Sequence, residues 1–376
     1  MWAGLSDSSY IFNKVALIGM GLIGGSIGLA LKEKDLAANI TCYDHDPATC
    51  VEAVKRGAAD RSMESAVQAV QDADLVVLAV PVLSTIGLLK EILPEVKKGA
   101  LLTDVGSTKG SIMAAVEQII PPSVSYIGGH PMAGSEESGI LGADPGLLEN
   151  AIYVLTPGPD TPQQQLDKLS ALLEKTGAQP LIIDPLSHDR IVALVSHLPH
   201  ITAATLVRSA ASAGNSDLIR TLAAAGFRDT TRVSLGNPAV WRDICLSNRW
   251  ALLSAIKSFK SGLETLEEYL NEPNAEAIEE YLLQARDYRS SVPHRGRGIL
   301  PDLFEMIVLV RDTPGVIGKL TGLLGEAGIN IDAIEILHVR ELSGGSIRLG
   351  FRSREQQQRA VKLLENHGYA IHIKEN

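Results

Sequence analysis

The chain has 376 residues, of which 45% are hydrophobic and 21% are charged, and its formal net charge at pH 7 is -10. This length predicts two or three globular domains, and the composition excludes a disordered chain. The acidic balance argues against nucleic acid or a membrane surface as the main partner. The three cysteines form no C-x-x-C pair, and residues 1–13 have neither the basic start nor the apolar core of an export signal, so we expect a cytoplasmic location.

The first predicted elements are a strand and a helix joined by a glycine-rich turn, within residues 14–31. A run of four apolar residues precedes three glycines with the spacing G-x-G-x-x-G, which is typical of a dinucleotide-binding turn. The first glycine allows a tight turn, the second lets the backbone approach a pyrophosphate, and the third lets the helix pack closely on the sheet. Backbone N–H groups at the start of the helix would bind the phosphates. The predicted cofactor-binding residues of this turn are Gly19, Gly21, Leu22, Ile23 and Gly24.

A carboxylate after the second predicted strand strengthens this interpretation. The strand covers residues 39–43, and Asp44 follows it at a position where a side chain can accept both hydroxyls of an adenosine ribose. The charge of Asp44 would repel a 2′-phosphate, so NAD is favoured over NADP. The alternatives are a plain βα turn and, because residues 15–31 carry no charge, a membrane span. Asp44 argues against the first, and five glycines in a stretch of minimal length argue against the second.

Alternating strands and helices continue to residue 183 and predict a parallel sheet with helical crossovers. The clearest strands cover residues 74–80 and 100–104. Ligands of such sheets bind at the carboxyl ends of the strands, so Ser107 is expected to lie near the nicotinamide. Alternatively, Ser107 or Thr108 only caps the following helix.

A further predicted strand, residues 125–129, carries a loop rich in reactive side chains to the same edge of the sheet. The loop contains an imidazole, a hydroxyl group and a carboxylate, at His130, Ser135 and Glu136. A histidine before a proline is often structural, but a strand end beside the nicotinamide makes His130 a candidate proton acceptor. The ordinary pKa of histidine is about 6.5, so turnover is expected to fall as the pH drops through that region.

From residue 188 onward the sequence pattern becomes helical. A long apolar helix is predicted over residues 188–208, with a kink or break at Pro199, because proline cannot donate the regular backbone hydrogen bond. His197 and His200 stand three residues apart and share one face of this helix. Zinc is one interpretation of the pair, but no third ligand stands at a familiar spacing, so no metal site is predicted.

Arginines are concentrated in residues 226–243. An arginine can bind a carboxylate through two hydrogen bonds, and an acidic chain has few other places to hold an anion. Alternatively, these charges are only a solvated helix surface. Two more helices are predicted over residues 237–270 and 276–290. We expect them to pair with a second subunit in a homodimer, because long helices after a nucleotide-binding domain need a partner for their apolar faces.

Residues 290–302 are a predicted linker rich in proline, glycine and arginine, and a small domain follows. Its predicted elements have the order βαββαβ, with strands at 303–310, 330–340, 346–352 and 369–373 and helices at 314–327 and 354–367. The predicted fold class is α/β, with a doubly wound Rossmann-type domain at 13–184, an all-helical dimerisation domain at 185–292 and the βαββαβ domain at 303–376.

Several motifs in order connect residues 14–376 to a known family. They are the glycine turn with Asp44, D-V-G-S-T-K at 104–109, G-H-P-M-A-G-S-E at 129–136, S-H-L-P-H at 196–200, F-R-D-T-T-R at 227–232 and W-R-D at 241–243. The small domain adds V-R-D-T-P-G-V-I-G at 310–318 and G-I-N-I at 328–331. With these motifs the chain resembles the prephenate dehydrogenases that carry a C-terminal ACT domain.

The resemblance implies oxidative decarboxylation of prephenate to 4-hydroxyphenylpyruvate in tyrosine biosynthesis, with NAD as the hydride acceptor. It implies that His130 accepts the proton of the ring hydroxyl, that Arg232 binds a carboxylate of the substrate, and that His200 and Ser107 support binding and orientation. A threonine is also seen in the family at the position of Ser135, which is a further expected substrate contact. The resemblance also implies a gating network formed by Glu136, Asp229 and Trp241. In this network the tryptophan reaches from the second subunit of a dimer.

The ACT resemblance implies feedback inhibition by tyrosine, bound near Gly315 and Asn330 at an interface between ACT domains. One alternative is an arogenate or dual-specificity cyclohexadienyl dehydrogenase, for which Asp229 could favour the ammonium group of the substrate. A more distant alternative is a non-catalytic NAD-binding amino-acid sensor. A β-hydroxyacid dehydrogenase fits less well. Enzymes of that class have a similar layout but use a lysine on the long helix, where this chain has His197 and His200.

Overall fold

The structure is a computed structural model of the chain. It describes residues 10–134, 139–214, 216–292, 303–311, 313–337 and 345–373. Two of the predicted substrate-binding residues, Ser135 and Glu136, lie outside these ranges. The chain divides between residues 298 and 299 into two compact units, each with its own sheet.

The first unit contains an eight-stranded sheet in the order β3-β2-β1-β4-β5-β6-β7-β8. Its strands are β1 Phe12–Ile18, β2 Ala37–Tyr43, β3 Arg61–Ser62, β4 Leu75–Leu78, β5 Leu101–Asp104, β6 Ser125–Pro131, β7 Ile152–Pro157 and β8 Gln179–Ile182. Neighbouring strands are parallel except β6 and β7, which are antiparallel. The expectation of a parallel sheet is therefore wrong for β7 and β8, which run antiparallel to the other six strands. The described part of the connection from β6 to β7 contains a short 3-10 turn, Ile140–Gly142, and no crossover helix.

Helices cover both faces of this sheet, and they are α1 Leu22–Glu33, α2 Pro47–Lys55, α3 Ala66–Val70, α4 Thr85–Ile92, α5 Gly110–Ile119 and α6 Gln163–Lys175. Side chains alternate along β1: Val15 and Leu17 belong to one buried apolar cluster, and Ala16 and Ile18 belong to another. Burial on both faces explains why the central strands are almost entirely apolar. This arrangement confirms the predicted doubly wound fold class.

A helical region follows the sheet and consists of α7 Pro185–Val192, a π-helical turn Ala193–His197, α8 Leu198–Ser212, α9 Ser216–Leu222, α10 Ala225–Thr231, α11 Pro238–Ser247, α12 Arg249–Asn271 and α13 Ala275–Ser291. The π-helical turn lies just before Pro199, where the sequence predicts an irregularity, because proline lacks the N–H of a regular helix. The helix predicted over residues 237–270 is divided at Asn248. The side chain of Asn248 donates a hydrogen bond of 2.7 Å to the backbone oxygen of Asp189.

Many large apolar side chains of the helical region are exposed in the single chain. Helix α12 exposes Leu253, Phe259 and Leu263, and α13 has no buried residue. Among the described residues, one helix, Pro185–Ser212, is long and apolar enough to cross a membrane by length and composition alone. Exposed apolar surface of this extent is typical of an interface with another subunit, which agrees with the expected dimer.

The second unit contains a four-stranded antiparallel sheet in the order β10-β11-β9-β12. Its elements are β9 Phe304–Val310, α14 Val316–Glu326, β10 Ala333–Leu337, β11 Gly345–Phe351, α15 Arg354–Asn366 and β12 Ala370–Ile373. Met306, Leu320, Phe351 and Leu364 are fully buried in its apolar core. The predicted order βαββαβ is confirmed.

Candidate active site

The glycine-rich turn joins β1 to α1 and has the backbone geometry that the sequence predicts. Gly19 has a φ angle of +95°, and a Cβ at this position would lie 2.2 Å from the backbone oxygen of Ala79. A Cβ at Gly24 would lie 2.0 Å from the backbone oxygen of Gly19. A Cβ at Gly21 would meet no atom within 4 Å. The fold therefore requires the first and third glycines, whereas the second faces open space that a ligand can occupy.

The start of α1 and Asp44 complete the candidate cofactor site. Helix α1 begins with Leu22 and Ile23, and no side chain caps it. Asp44 lies at the end of β2, where its Oδ2 atom accepts a hydrogen bond of 2.8 Å from the backbone N–H of Met20. The Oδ1 atom of Asp44 lies 2.8 Å from Nδ1 of His45. An uncapped helix start suits phosphates and a fixed carboxylate suits ribose hydroxyls, so these residues fit a dinucleotide.

A cavity of about 320 Å³ lies near the carboxyl ends of β5 and β6, between the sheet and the helical region. Its polar and aromatic lining comes from Ser107, His130, Ser196, His197 and Trp241. The structure thus brings together three predicted site residues, Ser107, His130 and Trp241. The apolar part of the lining includes Leu147 and Ile244.

Ser107 faces this cavity and does not cap α5. The backbone N–H groups of Lys109 and Gly110, at the start of α5, donate to the carboxylate of Asp189 at 2.7 and 2.8 Å. The hydroxyl of Thr108 donates to a serine of α11 at 2.9 Å. The alternative in which Ser107 or Thr108 only caps this helix is therefore wrong, because a carboxylate from α7 takes the capping position.

His130 lies at the end of β6 and is joined to a buried chain of polar groups. Its Nδ1 atom lies 2.8 Å from Nε2 of His188, and Nδ1 of His188 lies 2.8 Å from Oδ1 of Asp189. His188 is 2% exposed and Asp189 is 0% exposed. Neither residue is singled out by the sequence analysis. The available signal is a His-Asp pair in the first helix after the sheet, where an apolar pair would be the ordinary choice for buried positions.

The surroundings of His130 favour its neutral form. Burial lowers the pKa of His130 well below its ordinary value, and the nearby His188, Lys109 and His197 shift it in the same direction. The imidazole is therefore neutral at pH 7 and able to accept a proton. An ordinary histidine would become protonated near pH 6.5, so the expected fall in turnover moves to a lower pH than the sequence suggests.

A buried ion pair connects the ends of β5 and β6. The Nζ atom of Lys109 contacts the carboxylate of Asp104 and donates to the backbone oxygen of Gly129 at 2.7 Å. Asp104 also accepts hydrogen bonds from the hydroxyl of Tyr126 at 3.0 Å and from the N–H of Gly129 at 3.2 Å. The side chains of Lys109 and Asp104 are both 0% exposed. Because a buried charge is costly unless it is paired and hydrogen-bonded, this network holds the two strand ends in a fixed arrangement.

Trp241 packs against two histidines of the helical region. Its ring stacks on His200 with centroids 3.5 Å apart and meets His197 edge-on at 6.2 Å. The amide of Asn248 donates to Nδ1 of His197 at 3.2 Å, and burial lowers the pKa of His197 to about 4. Burial also lowers the pKa of His200. Both rings are therefore neutral at pH 7.

The family resemblance implies that Trp241 reaches from a second subunit, whereas the structure places it in the cavity of its own chain. The short turn Arg232–Leu235 packs on α8, and α11 begins at Pro238. This short connection keeps Trp241 close to His200 of the same chain. The reach of a tryptophan from a second subunit concerns the dimer and stays a prediction.

The other predicted substrate-binding residues that the structure describes lie outside the cavity lining. Arg232 is exposed in the 3-10 turn that packs on α8, the helix that carries His200. Asp229 is exposed on α10. The two residues are therefore brought near the site by their elements, but neither lines the cavity.

The structure also locates the residues predicted for other ligands. Gly315 has a φ angle of +83° and precedes α14 in the second unit. Asn330 is exposed, and its amide donates to Oδ1 of Asp332 at 3.2 Å. In the part of the chain that the structure describes, no group of three or more His, Cys, Asp or Glu side chains is placed to hold a metal ion.

The doubly wound sheet, the open glycine turn and the histidine-lined cavity at the strand ends together define a dinucleotide-binding oxidoreductase. Comparison with known families makes this class specific. Residues 27–182 match the nucleotide-binding domain of prephenate dehydrogenase, residues 184–284 match its dimerization domain, and residues 305–357 match the ACT domain. The chain belongs to the prephenate dehydrogenase family.

Individual relatives agree with this assignment. The prephenate dehydrogenase of Bacillus subtilis is 37% identical over 353 residues, which cover 93% of this chain and 95% of the relative. The cyclohexadienyl dehydrogenase of Zymomonas mobilis is 30% identical and covers 74% of this chain and 96% of the relative. The crystal structure of Aquifex aeolicus prephenate dehydrogenase in complex with hydroxyphenyl propionate and NAD+ is 30% identical, with a TM-score of 0.72 over 76% of this chain and 100% of that chain. These matches confirm the fold class and support NAD as the cofactor.

Proposed function

We propose that this chain catalyses the NAD-dependent oxidative decarboxylation of prephenate to 4-hydroxyphenylpyruvate. The observation that carries the proposal is the neutral imidazole of His130 in a cavity beside Ser107, at the end of a doubly wound sheet. Membership of the prephenate dehydrogenase family supports prephenate as the substrate. The 37% identity to the Bacillus subtilis enzyme, over nearly the full length of both chains, supports the same activity.

The glycine turn and Asp44 would hold the cofactor. The N–H groups of Leu22 and Ile23 would donate to the pyrophosphate, and the open space at Gly21 would admit it. Asp44 would accept hydrogen bonds from the adenosine ribose. When bound, NAD supplies the hydride acceptor for the reaction.

His130 would act as the general base. As the ring carbon that bears the hydroxyl becomes a carbonyl, the hydroxyl loses a proton, and a neutral imidazole in the cavity can accept it. Ser107 lies in the same cavity and would orient the hydroxyl. Loss of the ring carboxylate as carbon dioxide restores aromaticity, so the main tasks of the protein are to position the ring and to exclude water.

Arg232 would bind a carboxylate of the substrate from the rim of the site. The turn that carries Arg232 packs on α8, and α8 also carries His200, whose ring stacks on Trp241 at the cavity. A guanidinium group suits this task because it binds a carboxylate through two parallel hydrogen bonds. His200 and Trp241 would then support the face of the bound ring.

The activity is tested by the formation of NADH with two substrates. The purified chain is incubated with NAD and prephenate, and separately with NAD and arogenate, while the absorbance of NADH is recorded. Turnover of prephenate supports the proposal. Turnover of arogenate alone would overturn the assigned substrate, and turnover of both would make the chain a cyclohexadienyl dehydrogenase, as the Zymomonas mobilis relative is named. No turnover with either substrate would favour an NAD-binding sensor.

We also propose a homodimer in the cytoplasm. The match to a dimerization domain and the exposed apolar residues of α12 and α13 support self-association. Sedimentation of the purified chain tests this assembly, and a monomer at micromolar concentration would contradict it.

The ACT unit would mediate feedback inhibition by tyrosine, bound near Gly315 and Asn330. The match of residues 305–357 to the ACT domain supports a regulatory role for this unit. Substitution Asn330→Ala is expected to raise the tyrosine concentration needed for half-inhibition and to leave the uninhibited rate unchanged. Asn366→Ala, at an exposed asparagine of the same unit, is the matched control. Unchanged tyrosine sensitivity in Asn330→Ala would exclude a role of Asn330 in effector binding.

A further inference from the structure

A chain of hydrogen-bond contacts leads from His130 through His188 to the buried carboxylate of Asp189. The chain begins at Asp189, which is fully buried and whose carboxylate accepts backbone hydrogen bonds from Lys109 at 2.7 Å and Gly110 at 2.8 Å. A carboxylate only accepts hydrogen bonds. The Nδ1 atom of His188, 2.8 Å from Oδ1 of Asp189, must therefore be the donor of that contact.

The orientation of the next contact follows from the first. A neutral imidazole with a proton on Nδ1 has an unprotonated Nε2 atom, which can only accept. Nε2 of His188 lies 2.8 Å from Nδ1 of His130, so when His188 carries one proton, on Nδ1, the contact requires Nδ1 of His130 to donate. Neutral His130 then has its free electron pair on Nε2, and this ring lines the cavity. Nε2 of His130 is therefore the nitrogen that can accept a proton, because Nδ1 is engaged with His188.

We infer that His188 is a positioning residue that fixes the tautomer of His130 in the form able to accept a proton from the substrate. This inference rests on the proposed function for its kinetic consequence, but the tautomer itself does not depend on the substrate. Without an acceptor at the position of His188, the proton of neutral His130 can occupy either nitrogen. The fraction of His130 ready to act as a base then falls. Two other groups face His130, and their hydrogen bonds go elsewhere in the described part of the chain: Lys109 donates to the backbone oxygen of Gly129, and His197 accepts from Asn248.

The kinetic test compares two substitutions at His188. His188→Phe keeps a ring of similar shape without nitrogen atoms, and His188→Gln keeps an amide oxygen within reach of Nδ1 of His130. We expect kcat of His188→Phe to fall about 10- to 100-fold, the range found for residues that orient a metal-binding imidazole through a hydrogen bond. The KM values for prephenate and NAD are expected to stay within about twofold, and His188→Gln is expected to regain part of the lost kcat. His367→Phe, at an exposed histidine of the second unit, is the matched control.

Two kinetic results would overturn the inference. One is a kcat of His188→Phe within about twofold of the wild type. The other is an equal loss of kcat in the Phe and Gln variants, because the acceptor atom would then make no difference. Thermal melting checks that each variant is folded, and His188→Leu replaces His188→Phe in the same comparison if the latter does not fold.

A spectroscopic test separates this inference from the proposed function. Long-range ¹H–¹⁵N correlation spectra of the full chain labelled with ¹⁵N-histidine distinguish a proton on Nδ1 from a proton on Nε2 in each neutral ring. The signals of His130 are assigned by their absence in His130→Asn. We expect the Nδ1-protonated form in the wild type and a loss of this preference in His188→Phe. An Nε2-protonated His130 in the wild type would refute the inference even if prephenate is turned over, and an inactive wild type with the Nδ1-protonated form would refute only the proposed substrate.

Discussion

The two units of the chain differ in whether their charged side chains are buried or exposed. In the first unit, Asp104, Lys109 and Asp189 are fully buried, and each is held by several hydrogen bonds. Among the described residues of the second unit, the buried polar side chains are the uncharged Ser346 and Gln357. Ion pairs of the second unit include Arg348 with Glu335, whose side chains are 25% and 54% exposed.

This difference shows which part of the fold contains charged groups that are costly to remove from water. Removing charges from water is unfavourable, and a buried ion pair rarely stabilises a protein more than a well-packed apolar pair would. The first unit accepts this cost at the strand ends that carry the candidate active site. The second unit has an ordinary apolar core with its charges at the surface, which fits a role in binding or regulation rather than in proton transfer.

The comparison is tested most strongly at His130 itself. Substitution His130→Asn removes the candidate base and keeps a polar side chain, so kcat is expected to fall about 10²- to 10⁴-fold. The rate of NADH formation at saturating prephenate and NAD measures this effect. Affinity for NAD, measured by calorimetric titration, serves as the control and is expected to persist. Turnover close to that of the wild type would remove His130 from the mechanism.

The next prediction contrasts one charge from each unit. Lys109→Met leaves Asp104 buried without its cation and is expected to destabilise the first unit by about 3–5 kcal/mol. Arg348→Met removes a partly exposed cation of the second unit and is expected to cost at most about 1 kcal/mol. Differential scanning calorimetry of both variants measures the two effects. All three tryptophans of the chain precede residue 299, so tryptophan fluorescence during urea unfolding reports on the first unit alone. Equal destabilisation by the two substitutions would contradict the comparison.

A smaller effect is expected at Arg232, because this side chain is exposed. Loss of its charge-assisted hydrogen bonds to the substrate in Arg232→Ala is expected to weaken binding by about 1.5–3 kcal/mol, which raises the KM for prephenate about 10- to 100-fold. Arg228→Ala, one turn earlier on α10 and also exposed, provides the control. If the KM values of both variants equal that of the wild type, Arg232 does not anchor the substrate.

The smallest expected effect is a shift in the pH dependence of the rate. A base must be unprotonated to act, so activity is present above the pKa of His130 and is lost as the pH falls through it. Because burial lowers this pKa, the midpoint of the acidic limb of kcat/KM is expected below pH 6.5. Rates are measured in overlapping buffers, with thermal melting at each pH to exclude unfolding. A midpoint at or above pH 6.5 would show that the cavity does not shift His130 as the structure implies.

The parts that the sequence predicts well depend on local spacing. The roles of Gly19 and Gly24 follow from the positions of three glycines, and the structure shows the close backbone contacts that exclude a Cβ at both sites. His130 and Ser107 follow strands that end at the same edge of the sheet, so topology alone brings them to one cavity. The order of elements in the second unit follows from alternating apolar patterns.

The parts that the sequence does not predict depend on contacts between distant segments. The direction of β7 depends on the path of the connection after β6, for which no periodic pattern exists. His188 and Asp189 act on residues 58 and 80 positions earlier, at His130 and Lys109, and a single sequence does not reveal such pairings. The position of Trp241 in its own chain depends on how the turn after α10 packs on α8. The predicted roles of Arg232 and Asp229 remain predictions.

The π-helical turn at Ala193–His197 separates two parts of one long helical segment, and each part contributes a histidine near the cavity. A π-helical turn contains more residues than an α-helical turn. The side chains after it are therefore rotated about the helix axis relative to the side chains before it. Leu194 and Val195 consequently point outward, at 54% and 63% exposure, while His197 points into the cavity. Upstream of the turn, His188 reaches the base, and downstream of it, His200 reaches the indole that borders the cavity. The π-helical turn therefore lies between the residue that contacts His130 and the residue that stacks on Trp241, and it sets the rotation of one relative to the other.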